Sequence, residues 1–217
     1  MNAIDPSIVV TRPTVSDLRR RLPPSIAGMM VIGAAIAASL RAELGLAPWD
    51  VLHEGLAEVT GWPFGPLVIL VGVVVLLAWV PLGQRIGIGT LINVVVVGPS
   101  VNLFLLLIPA TEAMPLRVVY FVVAVALFGI GGGLYIGSAL GPGPRDGLMT
   151  ALTAKGFALW KVRTVLEVCV LVGGVALGGS IGVGTVVLAF ALGPVTHIAL
   201  ARFHVPVAGH EAEVLGE

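Results

Sequence analysis

Two acids carry the clearest chemical signal in the chain. Asp50 closes the stretch LGLAPWD, which begins at Leu44, and Asp146 closes LGPGPRD, which begins at Leu140. Both follow a proline by two positions, at Pro48 and Pro144, and a glycine by five, at Gly45 and Gly141. Glycine ends a helix cheaply because it tolerates a left-handed backbone. Proline cannot continue a helix but suits the first turn of the next. The acid then stands in the opening turn of a short helix, beside free N–H groups and the positive end of the helix dipole. Two roles are open and compatible. The carboxylate can cap its helix. Alternatively, acid and N–H groups together make an amphoteric site able to hold a proton, a cation or a polar zwitterion.

What positions these motifs follows from composition. Of 217 residues, 57% are hydrophobic and 11% charged, where soluble domains carry about 25% charged residues. Too few charges remain to coat a water-facing surface, so the chain reads as an integral membrane protein whose main partner is the lipid bilayer. A net charge of zero argues against nucleic acid. A membrane-crossing helix needs about 20 apolar residues. Six segments qualify, near 25–44, 66–82, 86–107, 116–139, 162–178 and 181–201. Two more, 49–61 and 145–156, are too polar to cross in lipid and read as short helices, re-entrant or interfacial.

With the N-terminus in the cytoplasm, six spans leave ten of the twelve basic residues on the inner side, Arg12, Arg85 and Arg202 among them; Arg41 and Arg117 fall outside. This is the positive-inside pattern. Both termini are therefore expected in the cytoplasm of a bacterial inner-membrane protein. The basic run RRRL resembles a signal-peptide start, but the first span has a counterpart later in the chain, which argues against cleavage.

That counterpart is part of a repeat. A shift of 96 places Gly33 on Gly129, Leu44 on Leu140, Pro48 on Pro144 and Asp50 on Asp146. A shift of 95 then places GIGT at Gly87 on GVGT at Gly182, and Gly98-Pro99 on Gly193-Pro194. Each copy reads span, short helix, span, span. An odd number of crossings turns the second copy upside down. The expected organisation is a cytoplasmic segment 1–24, a first repeat 25–108, a second repeat 109–202 and a disordered tail 203–217. Inverted repeats are a recurring build of secondary transporters, with the substrate site near the midplane where Gly/Pro-broken helices meet.

Other polar residues compete for roles. Asn102 and His197 match across the repeat and either line a pathway or join helices by hydrogen bonds. Glu167, one turn beyond Arg163, is either an intramembrane functional acid or half of a near-interface ion pair. His53, Glu54 and Glu58 read most simply as the solvated face of the first short helix. No phosphate loop, Ser-His-Asp set or His/Cys metal cluster is present in the sequence, so neither an enzyme nor a cofactor is expected. The lone Cys169 carries no disulfide argument.

The stretches LGLAPWDVLHEGL, GQRIGIGTLIN, GPGPRDGLM, RTVLEV and GGSIGVGTVVLAFALGP resemble the YczE/YyaS/YitT group of bacterial membrane proteins, closest to its YczE side, over roughly residues 28–201. The resemblance implies a bacterial cytoplasmic-membrane location and carries no substrate or site residue. The expectation is an all-α membrane protein, a small secondary transporter or permease for an unidentified small polar solute or ion, with proton coupling and a homodimer as open options. Asp50 and Asp146 form or gate its central site. The rival is a non-transporting assembly or accessory protein that uses both acids only as caps.

Overall fold

Long apolar runs in a chain this poor in charge leave helices as the economical structure, because each helix satisfies its own backbone donors and acceptors. The computed structural model describes residues 14–203, and among them every regular element is helical: α1 (Val15–Ala42), α2 (Pro48–Thr60), α3 (Phe64–Leu82), α4 (Ile88–Leu107), α5 (Met114–Gly137), α6 (Pro144–Ala154), α7 (Leu159–Ala176) and α8 (Val183–Phe203). Five of them, α1, α3, α4, α5 and α8, are long and apolar enough to cross a membrane. The sixth expected span, α7, has 18 residues and carries Lys161, Arg163 and Glu167. At about 1.5 Å per residue, α2 and α6, with 13 and 11 residues, are too short to cross.

Helix α1 starts earlier than the apolar run suggests. Thr14 and Asp17 form a capping box, the Asp17 amide donating to Thr14 Oγ1 at 3.2 Å and the Thr14 amide to Asp17 Oδ2 at 3.1 Å. This start carries the helix through Pro23 and Pro24, where the sequence alone places a boundary. Residues 15–24 of the segment expected at 1–24 are thus helical. Arg12, and the tail beyond Phe203, lie outside the described residues.

Helices α1 and α5 form the central pair, with α4 packed on α1 and α8 on α5. Small residues allow the close approach: a Cβ on Gly28 would lie 2.7 Å from Gly131 O. The short helices cross between the halves of the chain, α2 lying against α7 and α6 against α3. Large apolar side chains such as Val74, Val122, Val172 and Phe190 stay exposed on the outer faces, as lipid contact allows. Arg41 and Arg117 stand together at one end. Arg41 donates to the last carbonyls of α4 at Leu105 (2.7 Å) and Ile108 (2.9 Å), and Arg117 pairs with Glu43 at 2.7 Å.

Candidate functional site

The repeated motifs build one kind of joint, twice. After α1, Glu43 turns left-handed at φ 51° and Gly45 follows at φ 119°; after α5, Ala139 does so at φ 52° and Gly141 at φ 125°. Each break docks on the Gly-x-Gly-Thr start of a helix in the other half. The Gly184 amide donates to Leu44 O at 2.7 Å, and the Gly89 amide to Leu140 O at 2.9 Å. Thr90 Oγ1 accepts from Gly87 N at 3.3 Å and donates to Pro142 O at 2.7 Å, while Thr185 Oγ1 accepts from Gly182 N at 3.2 Å. The glycines are required by contact as well as by dihedral: a Cβ on Gly45 would lie 2.7 Å from both Thr185 N and Oγ1.

These joints aim the N-termini of α2 and α6 at a common space. Pro48 and Pro144 open their helices as expected, but the N-cap residues are Ala47 and Gly143, and neither helix start has a side-chain cap bond. Both acids stand in the first turn, where they complement the helix dipole, without a side-chain cap bond at either helix start. On the far side of α6, the fully buried Trp79 donates its indole N–H to Pro144 O at 3.0 Å, pinning that helix start to α3.

Asp50 and Asp146 line a single cavity of ≈ 100 Å³ between the two helix starts. Asp50 is 3% exposed, and its carboxylate stands 3.6 Å from His53 Nδ1, beyond hydrogen-bond reach. The His53 ring packs edge-on to Phe64, centroids 5.6 Å apart. Asp146 sits 3.7 Å from Arg145, both partly exposed to the cavity space, a loose pair of small energetic weight. Polar groups of three helices converge on Gly143: a Cβ there would lie 3.0 Å from Tyr135 Oη, 3.4 Å from Asp146 Oδ2 and 3.7 Å from Asn93 Nδ2. Three buried polar atoms around this cavity have no hydrogen-bond partner: Trp49 Nε1, His53 Nδ1 and Tyr135 Oη.

A second cavity, ≈ 330 Å³, adjoins the first and shares Trp49, Tyr135, Arg145 and Asp146 with it. Pro48, Glu167 and His197 line this second space, as does Arg163, whose Nε donates to Glu167 Oε1 at 3.0 Å. Asn102 lies away from both cavities. Its Oδ1 accepts from Gly65 N at 3.0 Å and so satisfies an orphan donor in the first turn of α3. Asn102 and His197 match in sequence yet stand in different surroundings.

His53 departs from the solvated face expected of it: it is 7% exposed and turned into the first cavity. Glu54 accepts from Ser180 N and Oγ, both at 2.6 Å, and only Glu58 is fully on the surface. Sequence reasoning passes over Trp49, Arg145 and Tyr135 as site residues. Trp49 and Arg145 occupy the variable position between proline and acid, the signal that marks them. Tyr135 sits unannounced in an apolar run.

Residues 19–200 match the model of a family of unknown function, DUF6198. An uncharacterised protein of Haemophilus influenzae is 36% identical over 75% of this chain and 77% of its own length. Two Bacillus subtilis proteins also match: the uncharacterised membrane protein YczE, 31% identical over 81% of this chain and 83% of its own, and the uncharacterised YyaS, 25% identical over 79% and 88%. No solved structure matches. With the family model spanning nearly all the described helices and YczE itself among the relatives, the chain belongs to DUF6198, a YczE-like family of membrane proteins.

Proposed function

We propose that this protein is a small secondary transporter or permease of the bacterial cytoplasmic membrane, moving a small polar solute or ion through a central site at two broken helices. In this reading the chain has six spans in two inverted repeats and both termini in the cytoplasm. Helix α7 is the sixth span: its charges cluster in the first half, and Arg163 neutralises Glu167 at 3.0 Å.

One observation carries the reading. Asp50 and Asp146, 96 residues apart and one from each half, make no side-chain cap bond and line the same cavity. Irregular backbone at membrane depth is tolerated where it is buried in protein or lines a wet space, and breaks in matching positions of two repeats mark transporter sites. The amide-to-carbonyl bonds from Gly89 and Gly184 recur at that spacing too. The cavities themselves correspond: Asn93 and Val97 beside the first fall, by the shift of 95, on Leu188 and Leu192 beside the second. A pair of related cavities that share Asp146 suits alternating access. The rival reading is an accessory protein that uses both acids only to steady their helix starts; the missing side-chain cap bonds at α2 and α6 speak for the transporter instead.

The test is access. Cys169, which is exposed, is first replaced by Ala. Asp50→Cys and Asp146→Cys are then probed separately with a membrane-impermeant thiol reagent from each face of sealed vesicles. Labelling of each site from both faces, or a change of access when solutes are added, is expected. If position 50 reacts only from outside and position 146 only from inside, whatever is added, the transporter reading is lost.

A further inference from the structure

The first cavity has a definite electrostatic character. Helix α2 brings Asp50 and His53 to it, α6 brings Arg145 and Asp146, α5 brings Tyr135 and α4 brings Asn93. The walls from α1 and α3, including Ile32, Ile36, Val68 and Val71, are apolar. Arg145 and Asp146 offset each other. Two carboxylates thus face one guanidinium: Arg145 acts on Asp50 through space but stands beyond ion-pair distance, and His53 Nδ1 at 3.6 Å makes no hydrogen bond to it, so the cavity carries one formal negative charge in excess. A carboxylate at 3% exposure with no cation in direct contact is costly to keep ionised. Such a group either takes up a proton or is met by a cation that enters the cavity.

We propose that this cavity binds a small organic monocation, its ammonium head on the Asp50 carboxylate and its alkyl part against the aliphatic wall. The inference rests on the transporter reading above and names the class of solute. A cavity needs roughly 10–15 Å³ to hold one water, so ≈ 100 Å³ admits a ligand of a few non-hydrogen atoms. Trp49, Phe128 and Tyr135 add aromatic faces, which attract a desolvated cation. The mostly apolar wall favours an alkylammonium over a bare metal ion, which wants a shell of oxygen ligands. Among the described residues no three His, Cys, Asp or Glu side chains gather to hold a metal. The unpartnered Tyr135 hydroxyl, with a free lone pair, can accept from a second ammonium hydrogen.

Saturation-transfer difference NMR on the full chain in detergent tests this, with ethylammonium, propionate and ethanol as probes and empty micelles as blank. Ethylammonium is expected to give a saturable signal that is lost in Asp50→Asn and restored in Asp50→Glu. Arg145→Gln is expected to raise that signal, because it removes a repelling charge from the same cavity. Each variant is first shown to keep the wild-type elution volume and thermal unfolding curve. Propionate binding that disappears in Arg145→Gln, or an ethylammonium signal that survives Asp50→Asn, overturns the proposal. Absence of any ethylammonium signal from the folded wild-type protein overturns it too, and two-sided labelling at positions 50 and 146 then leaves the transporter reading standing. Ethylammonium binding lost in Asp50→Asn, with one-sided labelling at both positions, supports the cation site and removes the transporter.

Discussion

The Gly184 amide donates to the Leu44 carbonyl at 2.7 Å, so the break after α1 is closed by the first turn of α8 rather than by its own helix. Gly45 next to it stands at φ 119° with Thr185 against it. Gly45→Ala therefore meets both backbone strain and a clash. Strain of this kind costs on the order of 1–3 kcal/mol, and the missing space adds to it. Gly141→Ala, at φ 125° and 3.0 Å from Thr90 Oγ1, is expected to be comparably destabilised. Thermal unfolding in detergent measures both. Wild-type melting in either variant contradicts the joint.

Helix α6 is held by a second device. A Cβ on Gly147 would drive into the Trp79 ring, the same ring whose N–H reaches Pro144 O. Gly147→Ala is expected to destabilise by about 1–3 kcal/mol through overpacking. Trp79→Leu costs a comparable amount through the lost volume and the unmade bond. The two substitutions touch, so their effects should not add: the double variant is expected to be more stable than the sum of the singles predicts. Additive melting shifts contradict the contact.

The breaks are legible in sequence because their chemistry is local. Glycine, proline and acid at fixed offsets announce a helix end and a helix start, and the copy 96 residues on repeats them. The pairing of the Leu-Gly break with Gly-x-Gly-Thr of the other half is not legible, since it joins residues far apart in the chain, 140 positions from Leu44 to Gly184 and 51 from Gly89 to Leu140. The same limit hides Tyr135, whose hydroxyl matters only because α5 places it beside Gly143. His53 misleads for the opposite reason: beside Glu54 and Glu58 it looks like part of a wet face, but α7 and α3 pack on that helix. Composition is least decisive at α7, where three charges interrupt an otherwise apolar run.

Acid should loosen the start of α1. Hydrogen bonds from the Thr14 hydroxyl and amide hold the Asp17 carboxyl below the ordinary carboxylate range, with smaller help from Arg21. A carboxyl whose folded value is depressed stabilises fully above its unfolded value, about pH 4, and the contribution is lost as pH falls through the lowered one. Amide hydrogen exchange across residues 14–24 is expected to speed up below about pH 4 relative to the rest of α1. In Thr14→Ala the exchange should be fast already at neutral pH. An unchanged acid profile in that variant contradicts the capping box.

Asn102 and His197 separate packing from site roles. Asn102 accepts the Gly65 amide at 3.0 Å and touches neither cavity, whereas His197 is exposed and lines the larger one. Asn102→Ala leaves a helix-start donor unpaired in a bilayer, a loss of about 1–3 kcal/mol, and is expected to lower the melting temperature without altering thiol access at positions 50 and 146. Asn102→Asp keeps the acceptor and should recover part of the loss. His197→Ala removes an exposed side chain and is expected to melt within about 0.5 kcal/mol of wild type. The contrast fails if His197→Ala destabilises as much as Asn102→Ala, because the matched positions would then serve one structural purpose in both halves.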